Sequence, residues 1–476
     1  MDKKNLKYYT EVRKNHWDKV FKRNRSFSMN RYYHERLSRV YQFIIPQGST
    51  VLEIGCGNGR LLSALNPARG VGIDISEKAI AQAKESCPRL EFYAADVHEW
   101  DTSEQFDYII LSDIVNDLYC VQTVFERLQK FCKPQTRIIV NTYSRIWDLP
   151  LSVAAFCGLA TPRLRQNWLT PEDIRNLFHL TGYETLRTWR EIIFPVKVPF
   201  LTNLCNKWLI HLGPLNVLGL TNFVVARSLQ ACKNNVQAPK VSIIVPARNE
   251  AGHIDSILQR VPELGRGTEI VFVEGNSVDN TYEAIKAALP KYPQKECQLH
   301  RQKGKGKGDA VRLGFEMATG ELLMILDADL TVAPEDLSKF YDLIVSGKAE
   351  FVNGVRLVYP MQDKAMRFIN LLGNKFFSIL FTWLLGQRVK DTLCGTKVLY
   401  KRDYERIRDN RSYFGDFDPF GDFDLLFGAS KLNMRIVDIP VRYAERTYGT
   451  TNISRWSHGF LLLKMAALAC RRLKCI

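Results

Sequence analysis

Short apolar runs that stop abruptly at glycines and acids recur along the chain. The first, VLEI at Val51–Ile54, breaks into GCGNGR; VGIDIS and FDYIILSD follow at the spacing of strand–helix–strand units, and RIIVNTY from Arg137 and TNFVVARS from Thr221 close the series. Four or five apolar residues followed at once by polar ones is how buried parallel strands read when their C-terminal ends carry chemistry. The polar stretch LQACKNNVQAPK then ends the series and puts a junction near Leu229–Lys240. A second series opens with VSIIVPARNE at Val241, continues with EIVFVEGNS at Glu269 and reaches ELLMILDADL at Glu321. The pattern predicts an α/β chain of two Rossmann-like domains, residues 1–230 and 240–476, with a linker over 231–239.

Composition agrees with two folded units. The 476 residues exceed what one core supports, and 46% hydrophobic with 24% charged residues excludes wholesale disorder and a multi-span membrane protein. No segment reaches the roughly 18 to 20 uninterrupted apolar residues of a spanning helix. The N-terminus, MDKKNLKYYTEVRKNHW, lacks the apolar core of a signal peptide, and the eleven cysteines include no CxxC pair, so a reducing cytosolic setting is expected. A net charge of +16 favours anionic partners. Nucleic acid is not expected among them, because no helix-turn-helix, RNA-binding signature or aromatic–basic interleaving is present.

Gly55, Gly57 and Gly59 follow the first strand directly, where missing side chains permit a tight turn and let a ligand lie against backbone N–H groups. Arg60 stands where a dinucleotide fingerprint wants glycine, which disfavours NAD. Asp74 ends the next strand, suited to ribose hydroxyls, and Asp96 ends the one after, suited to an adenine amino group. Through Glu53, Gly55, Gly57, Gly59, Asp74, Asp96 with Val97, and LSDIVNDLYC, this half resembles the class I S-adenosylmethionine-dependent methyltransferases. The resemblance implies that cofactor, held by those residues, and no metal. His98, Asp113 and Asn116 stand where such enzymes place acceptor contacts or a base. The apolar FPVKVPFLTNLCNKWLIHLGPLNVLGL, broken by Lys197, Lys207 and prolines, is expected to be an acceptor lid or a domain contact.

In the second half, VPARNE puts Pro246, Asn249 and Glu250 at a strand end, and EGNSVDNT does the same with Glu274. Asp327 and Asp329 follow a four-residue apolar strand, and paired carboxylate oxygens suit Mg²⁺ or Mn²⁺ bridging a diphosphate. With GKGDAVRLGFEMATGELLMILDADL, DTLCGTKVLYKRDY, GDFDLLF and ERTYGTTNISRW, these motifs resemble glycosyltransferase family 2, and within it the polyprenyl-phosphate sugar synthases. The resemblance implies a GT-A fold, a nucleotide-sugar donor and inversion at the anomeric carbon. Asp422 and Asp424 are the candidates for the carboxylate that orients or deprotonates the acceptor. Lys397 and Arg446 are expected on donor phosphates, and Arg455 with Trp456 beside the acceptor. KGKGKGD is not a P-loop, because Lys305 and Lys307 are followed by glycine rather than Ser or Thr; a basic loop near the donor phosphates is expected instead.

FFSILFTWLLG at Phe376–Gly386 and GFLLLKMAALACRRLKC at Gly459–Cys475 set bulky apolar groups beside Lys or Arg, as interfacial helices do, with core helices of the second domain as the alternative. The reading is a bifunctional enzyme of surface glycan or glycolipid biosynthesis, acting on a lipid-linked or glycan acceptor and associated peripherally with the anionic cytoplasmic membrane face. The alternative is a glycosyltransferase whose first half binds S-adenosylmethionine or the acceptor without catalysis.

Overall fold

Fourteen strands form two separate seven-stranded sheets in the computed structural model, which describes residues 3–23, 28–233, 238–356, 358, 368–413, 421–444 and 455–474. The chain divides into one unit of Met1–Asn235 with Lys474–Ile476 and another of Val236–Leu473. A helix, Leu229–Lys233, occupies the first part of the stretch expected as linker.

The first unit holds β1 (Thr50–Ile54), β2 (Arg69–Asp74), β3 (Glu91–Ala94), β4 (Phe106–Ser112), β5 (Cys132–Tyr143), β6 (Tyr183–Glu191) and β7 (Thr221–Ser228), in the order β3-β2-β1-β4-β5-β7-β6. The β3-β2-β1-β4-β5 run is parallel, and β7 enters antiparallel between β5 and β6. Apolar residues from both faces of β1, β4 and β5 are fully buried, as a sheet covered on both sides requires. Ile54 pairs with Leu111 and Ser112 with Asn141, so the residues after β1, β4 and β5 emerge at one edge.

The second unit holds β8 (Val241–Ala247), β9 (Thr268–Glu274), β10 (Glu296–Arg301), β11 (Leu322–Ile325), β12 (Phe351–Val355), β13 (Lys397–Tyr400) and β14 (Ile436–Pro440), ordered β10-β9-β8-β11-β13-β12-β14. Strands β8 to β11 are parallel; β13 runs antiparallel to both its neighbours. The helix Lys307–Met317 lies against β8 closely enough that a Cβ on Gly314 would meet Ile244 Cγ2 at 2.4 Å.

In the first unit the helix Ser28–Ile44 is fastened to the end of β6 by an ion pair, Arg36 Nη2 to Glu191 Oε2 at 2.9 Å, with both side chains buried. Glu191→Ala would leave a guanidinium buried without its counter-charge, a change that costs about 3–5 kcal/mol. Calorimetric unfolding of the full chain is expected to show the first unit's transition fall while the second unit's stays in place.

Candidate active sites

In the first unit, the edge where the parallel strands end gathers the glycine turn and the acids. Gly55, Gly57 and Gly59 have φ of 72°, 53° and 74°. That backbone strains other L-residues, and space also forbids a side chain: a Cβ on Gly55 would lie 2.8 Å from Ile114 Cγ1, and one on Gly59 2.6 Å from Phe92 Cζ. The Gly57 N–H donates to Asp74 Oδ2 at 2.9 Å and the Ser76 N–H to Oδ1 at 2.8 Å, so Asp74 ties the turn to the end of β2. Burial pushes the Asp74 carboxyl up, against the pull of those two N–H groups. Each oxygen keeps a lone pair for a ligand hydroxyl.

Asp96 lies two residues beyond β3 rather than at its end. Its Oδ1 accepts from the backbone N–H of His98 at 2.9 Å and from the ring Nδ1 at 2.6 Å, while Oδ2 accepts from the Thr10 hydroxyl at 2.7 Å. Burial raises this carboxyl, but the His98 and Thr10 hydrogen bonds outweigh it and hold it below its ordinary value. The Cys120 N–H donates to His98 Nε2 at 3.3 Å, so both ring nitrogens are engaged within the fold. His98 is therefore a bracket for Asp96, and Val97 between them is buried in the core.

Deeply buried atoms at this edge that lack partners among the described residues include Glu53 Oε2 and both ends of the Asn116 amide. Burial raises the Glu53 carboxyl to about 8, against one backbone hydrogen bond from Leu62. An unsatisfied buried polar atom costs about 1–3 kcal/mol, so these residues suit a site that receives a polar ligand.

Asp113 follows β4 with φ of 56°. The Tyr33 hydroxyl donates to its two oxygens at 3.0 and 2.9 Å, Asn141 Nδ2 donates at 2.7 Å, and Tyr143 stacks on Tyr33 with centroids 5.5 Å apart. Burial raises the Asp113 carboxyl to about 7, opposed by the Tyr33 and Tyr143 hydroxyls, the Arg163 charge and the Asn141 amide.

One element of this edge escaped the sequence reading. The helix Lys3–Arg23 places Thr10 on Asp96, while Asp18 Oδ1 accepts from the Ser76 hydroxyl at 2.6 Å beside Asp74. Phe21 of the same helix lies 3.2 Å from where a Gly57 Cβ would stand. At 100° per residue, positions 10, 18 and 21 fall within about 80° of one helix face, which was the available signal.

In the second unit PARNE and EGNSVDNT are laced into one structure. The Asn249 N–H donates to Ser277 Oγ at 3.1 Å, the Val278 N–H to Asn249 Oδ1 at 2.9 Å, and the Glu250 N–H to Thr281 Oγ1 at 2.9 Å. Glu274 is buried, accepting from the Ser277 N–H at 2.5 Å and from Arg301 Nε at 3.1 Å; Glu250 pairs with His253 at 2.9 Å. Pro246 is half-buried at the end of β8.

Asp327 follows β11 and meets Lys307 Nζ at 2.5 Å, with both side chains partly exposed. Asp329 Oδ1 accepts from the Thr331 N–H at 3.1 Å and its hydroxyl at 2.8 Å. Gly395 seals this contact: a Cβ there would stand 2.1 Å from both Asp327 Oδ2 and Lys307 Nζ. The loop carrying Gly395 is held by Asp391, which accepts from Arg356 Nε at 2.7 Å and Nη2 at 2.9 Å. Burial raises the Asp391 carboxyl, but the Arg356 charge overcomes it and holds the group low. Among the described residues no group of three or more His, Cys, Asp or Glu is gathered as metal ligands. Two carboxylates are what Mg²⁺ takes from a protein when substrate phosphates complete its shell.

Two expected residues stand differently. Lys397 is fully buried on β13, opposite Asn353, and donates to the Cys394 carbonyl at 2.5 Å. Both faces of this strand are buried, and Lys307 is the lysine that meets Asp327, its Nζ lying 2.5 Å from the carboxylate. Asp424 is nearly buried, with Oδ2 accepting from Arg411 Nε at 2.7 Å. Asp422, Arg455 and Trp456 lie in helices, with side chains outside the described residues, and Arg446 lies outside them altogether.

Residues 242–407 match the family model for glycosyl transferase family 2, and residues 45–180 that for a methyltransferase domain. The chain is 36% identical over 220 residues to a dolichol-phosphate mannosyltransferase of Pyrococcus furiosus, covering 45% of this chain and 59% of that protein. It is 26% identical over 219 residues to an undecaprenyl-phosphate 4-deoxy-4-formamido-L-arabinose transferase of Klebsiella pneumoniae, covering 45% and 63%. The chain thus spans less than two thirds of the length of these relatives. Among solved structures, glucosyl-3-phosphoglycerate synthase of Mycobacterium tuberculosis is similar at a TM-score of 0.36 and 17% identity, covering 52% of this chain and 83% of that one. Magnesium protoporphyrin IX methyltransferase of Synechocystis is similar at 0.33 and 17%, covering 47% and 98%. The two family matches fall one in each unit, and the chain joins a methyltransferase domain to a glycosyltransferase family 2 domain.

Proposed function

We propose that the second unit transfers a sugar from a nucleotide-sugar donor to a polyprenyl-phosphate acceptor, and that the first transfers a methyl group from S-adenosylmethionine, in the synthesis of a surface glycan or glycolipid. The observation that carries the first half of this reading is the Asp327–Lys307 contact capped by Gly395, with Asp329 two residues on. The ammonium already rests on the carboxylate that would share a divalent cation, so cation and lysine together would neutralise a departing diphosphate. The acceptor oxygen would attack the anomeric carbon as the bond to the diphosphate breaks, with inversion. A phosphate acceptor is already ionised and needs little base. The acceptor class follows the dolichol- and undecaprenyl-phosphate transferases that the chain resembles.

Asp424 accepts from Arg411, and Asp422 is the carboxylate proposed to act on the acceptor. Membrane contact by this unit would use the helices Phe368–Leu385 and Arg455–Leu473, which pack together and expose Phe376, Ile379, Phe460 and Leu463 beside Lys464 and Arg471. No helix among the described residues is long and apolar enough to cross a membrane.

For methyl transfer, Asp74 and Asp96 would hold the nucleoside of S-adenosylmethionine over the Gly55–Gly59 turn, with Glu53 beneath. The cofactor brings an electrophilic methyl group; the protein aligns the acceptor and removes its proton. Asp113 suits that last task, since a base is most useful when it titrates near the working pH.

Asp74→Ala is expected to weaken S-adenosylmethionine binding in calorimetry by about 1.5–3 kcal/mol, the scale of hydrogen bonds to a charged group. No binding by the unaltered chain would end the methyl-transfer reading. Sugar transfer to a polyprenyl phosphate is expected to vanish with EDTA or in Asp329→Asn, with methyl transfer unaffected; undiminished transfer under chelation would remove the metal. The raised Asp113 carboxyl makes its own contribution to stability greatest at low pH and lost as pH rises through about 7. Urea unfolding is therefore expected to show Asp113→Asn gaining on the unaltered chain by about 2–3 kcal/mol between pH 5 and 8. A constant difference would refute the shift.

A further inference from the structure

Two excursions leave the first unit from the edge that carries the glycine turn and Asp113. One runs from Ser144 to Thr170, between β5 and the helix Pro171–Leu180; the other runs from Ile192 to Leu220, between β6 and β7. Their roots are stitched together, with the Ser144 N–H donating to the Leu220 carbonyl and the Leu220 N–H to the Ile192 carbonyl, each at 2.7 Å. Farther out, Trp147 Nε1 donates to the Leu218 carbonyl at 2.8 Å. The two excursions are therefore one projection.

More than half of the exposed large hydrophobic side chains among the described residues lie on this projection. In the helix Asp148–Phe156, Leu149, Val153 and Phe156 recur at helical spacing along the outer face, with Leu149 75% and Phe156 95% exposed. On the second excursion Phe200, Leu204 and Trp208 recur every four residues, with Phe200 90% exposed. Phe200 also has φ of 59°, a conformation costly for a bulky residue. A strained backbone that holds an aromatic ring out in water gains the fold nothing by itself.

The charge on the projection is predominantly positive. Arg145, Arg163, Arg165, Lys197 and Lys207 stand against a single acid, Asp148, and Arg145, Arg165 and Lys197 are exposed. Apolar tips among cations match the boundary of an anionic bilayer, where side chains enter the acyl region while Lys and Arg meet headgroups. A second copy of the chain fits poorly, because two such surfaces would bring like charges together.

We infer that this projection is a docking surface of the methyltransferase unit for an anionic lipid bilayer. Since it grows from the edge that holds Asp113, the methyl acceptor is a lipid-borne molecule delivered from that surface. This second statement rests on the methyl-transfer reading of the site; the docking surface does not.

The test is co-sedimentation of the full chain with phosphatidylglycerol–phosphatidylcholine vesicles at low salt, comparing Phe156→Asp/Phe200→Asp with Phe460→Asp/Leu463→Asp. Both pairs alter exposed residues, and calorimetry with S-adenosylmethionine checks that the first unit stays folded. The unaltered chain is expected to bind, and the Phe156/Phe200 pair to lower its partition at least tenfold at unchanged cofactor affinity. Unchanged partition in that pair overturns the inference, even if the Phe460/Leu463 pair no longer binds, an outcome that would leave membrane contact to the second unit alone. Absence of binding by the unaltered chain also overturns it, as does a dimer in gel filtration that the Phe156/Phe200 pair makes monomeric.

Discussion

Asp327 and Lys307 can meet at 2.5 Å because residue 395 has no side chain; one methyl group there would collide with both. Everything around them serves that approach. Arg356 grips Asp391 and fixes the loop, β13 sets the loop's height beside β11, and the helix beginning at Lys307 is pressed onto β8 through Gly314. The glycines of the first unit impose the same constraint, with Ile114 and Phe92 filling the space where side chains would stand on Gly55 and Gly59. In each unit a glycine without a side chain lets a neighbouring group approach the backbone beside the carboxylates.

Parallel strands end with their chemistry on one side, and both units use that edge. In the first, a ligand over the glycine turn would have Asp74 and Asp96 on one flank and Asp113 after β4 on the other. Asp74 and Asp96 are steadied by short hydrogen bonds from the backbone, His98 and Thr10. Such preorganisation lets a site hold its acids in place before a ligand arrives.

Much of this was legible because it is local. The glycine turn, Asp74 and the Asp327–Asp329 pair each follow an apolar run within a few residues, and the alternation of strands and helices followed from their spacing. What was not legible depends on distance or register. Strand β6 is an edge strand with a half-exposed pattern, so it lacks the apolar run that marked its neighbours. The helix Lys3–Arg23 reads as a polar N-terminus, and its partners Ser76 and Asp96 lie 58 and 86 residues from Asp18 and Thr10. Lys307 and Lys397 look alike in sequence; the second is buried on β13 with its ammonium on the Cys394 carbonyl, and the first meets Asp327. Asp424 reads in the sequence as an available acid, but Arg411, thirteen residues earlier, donates to it in the fold.

The central claim is that one chain holds two complete donor sites of different chemistry. The most direct measurement is calorimetric titration of the full chain with S-adenosylmethionine and, with Mn²⁺ present, with a nucleoside diphosphate, each alone and then in the presence of saturating amounts of the other. The account predicts one site for each ligand and an affinity for either that the other leaves unchanged. Competition between the two ligands, or failure of either to bind, would contradict it.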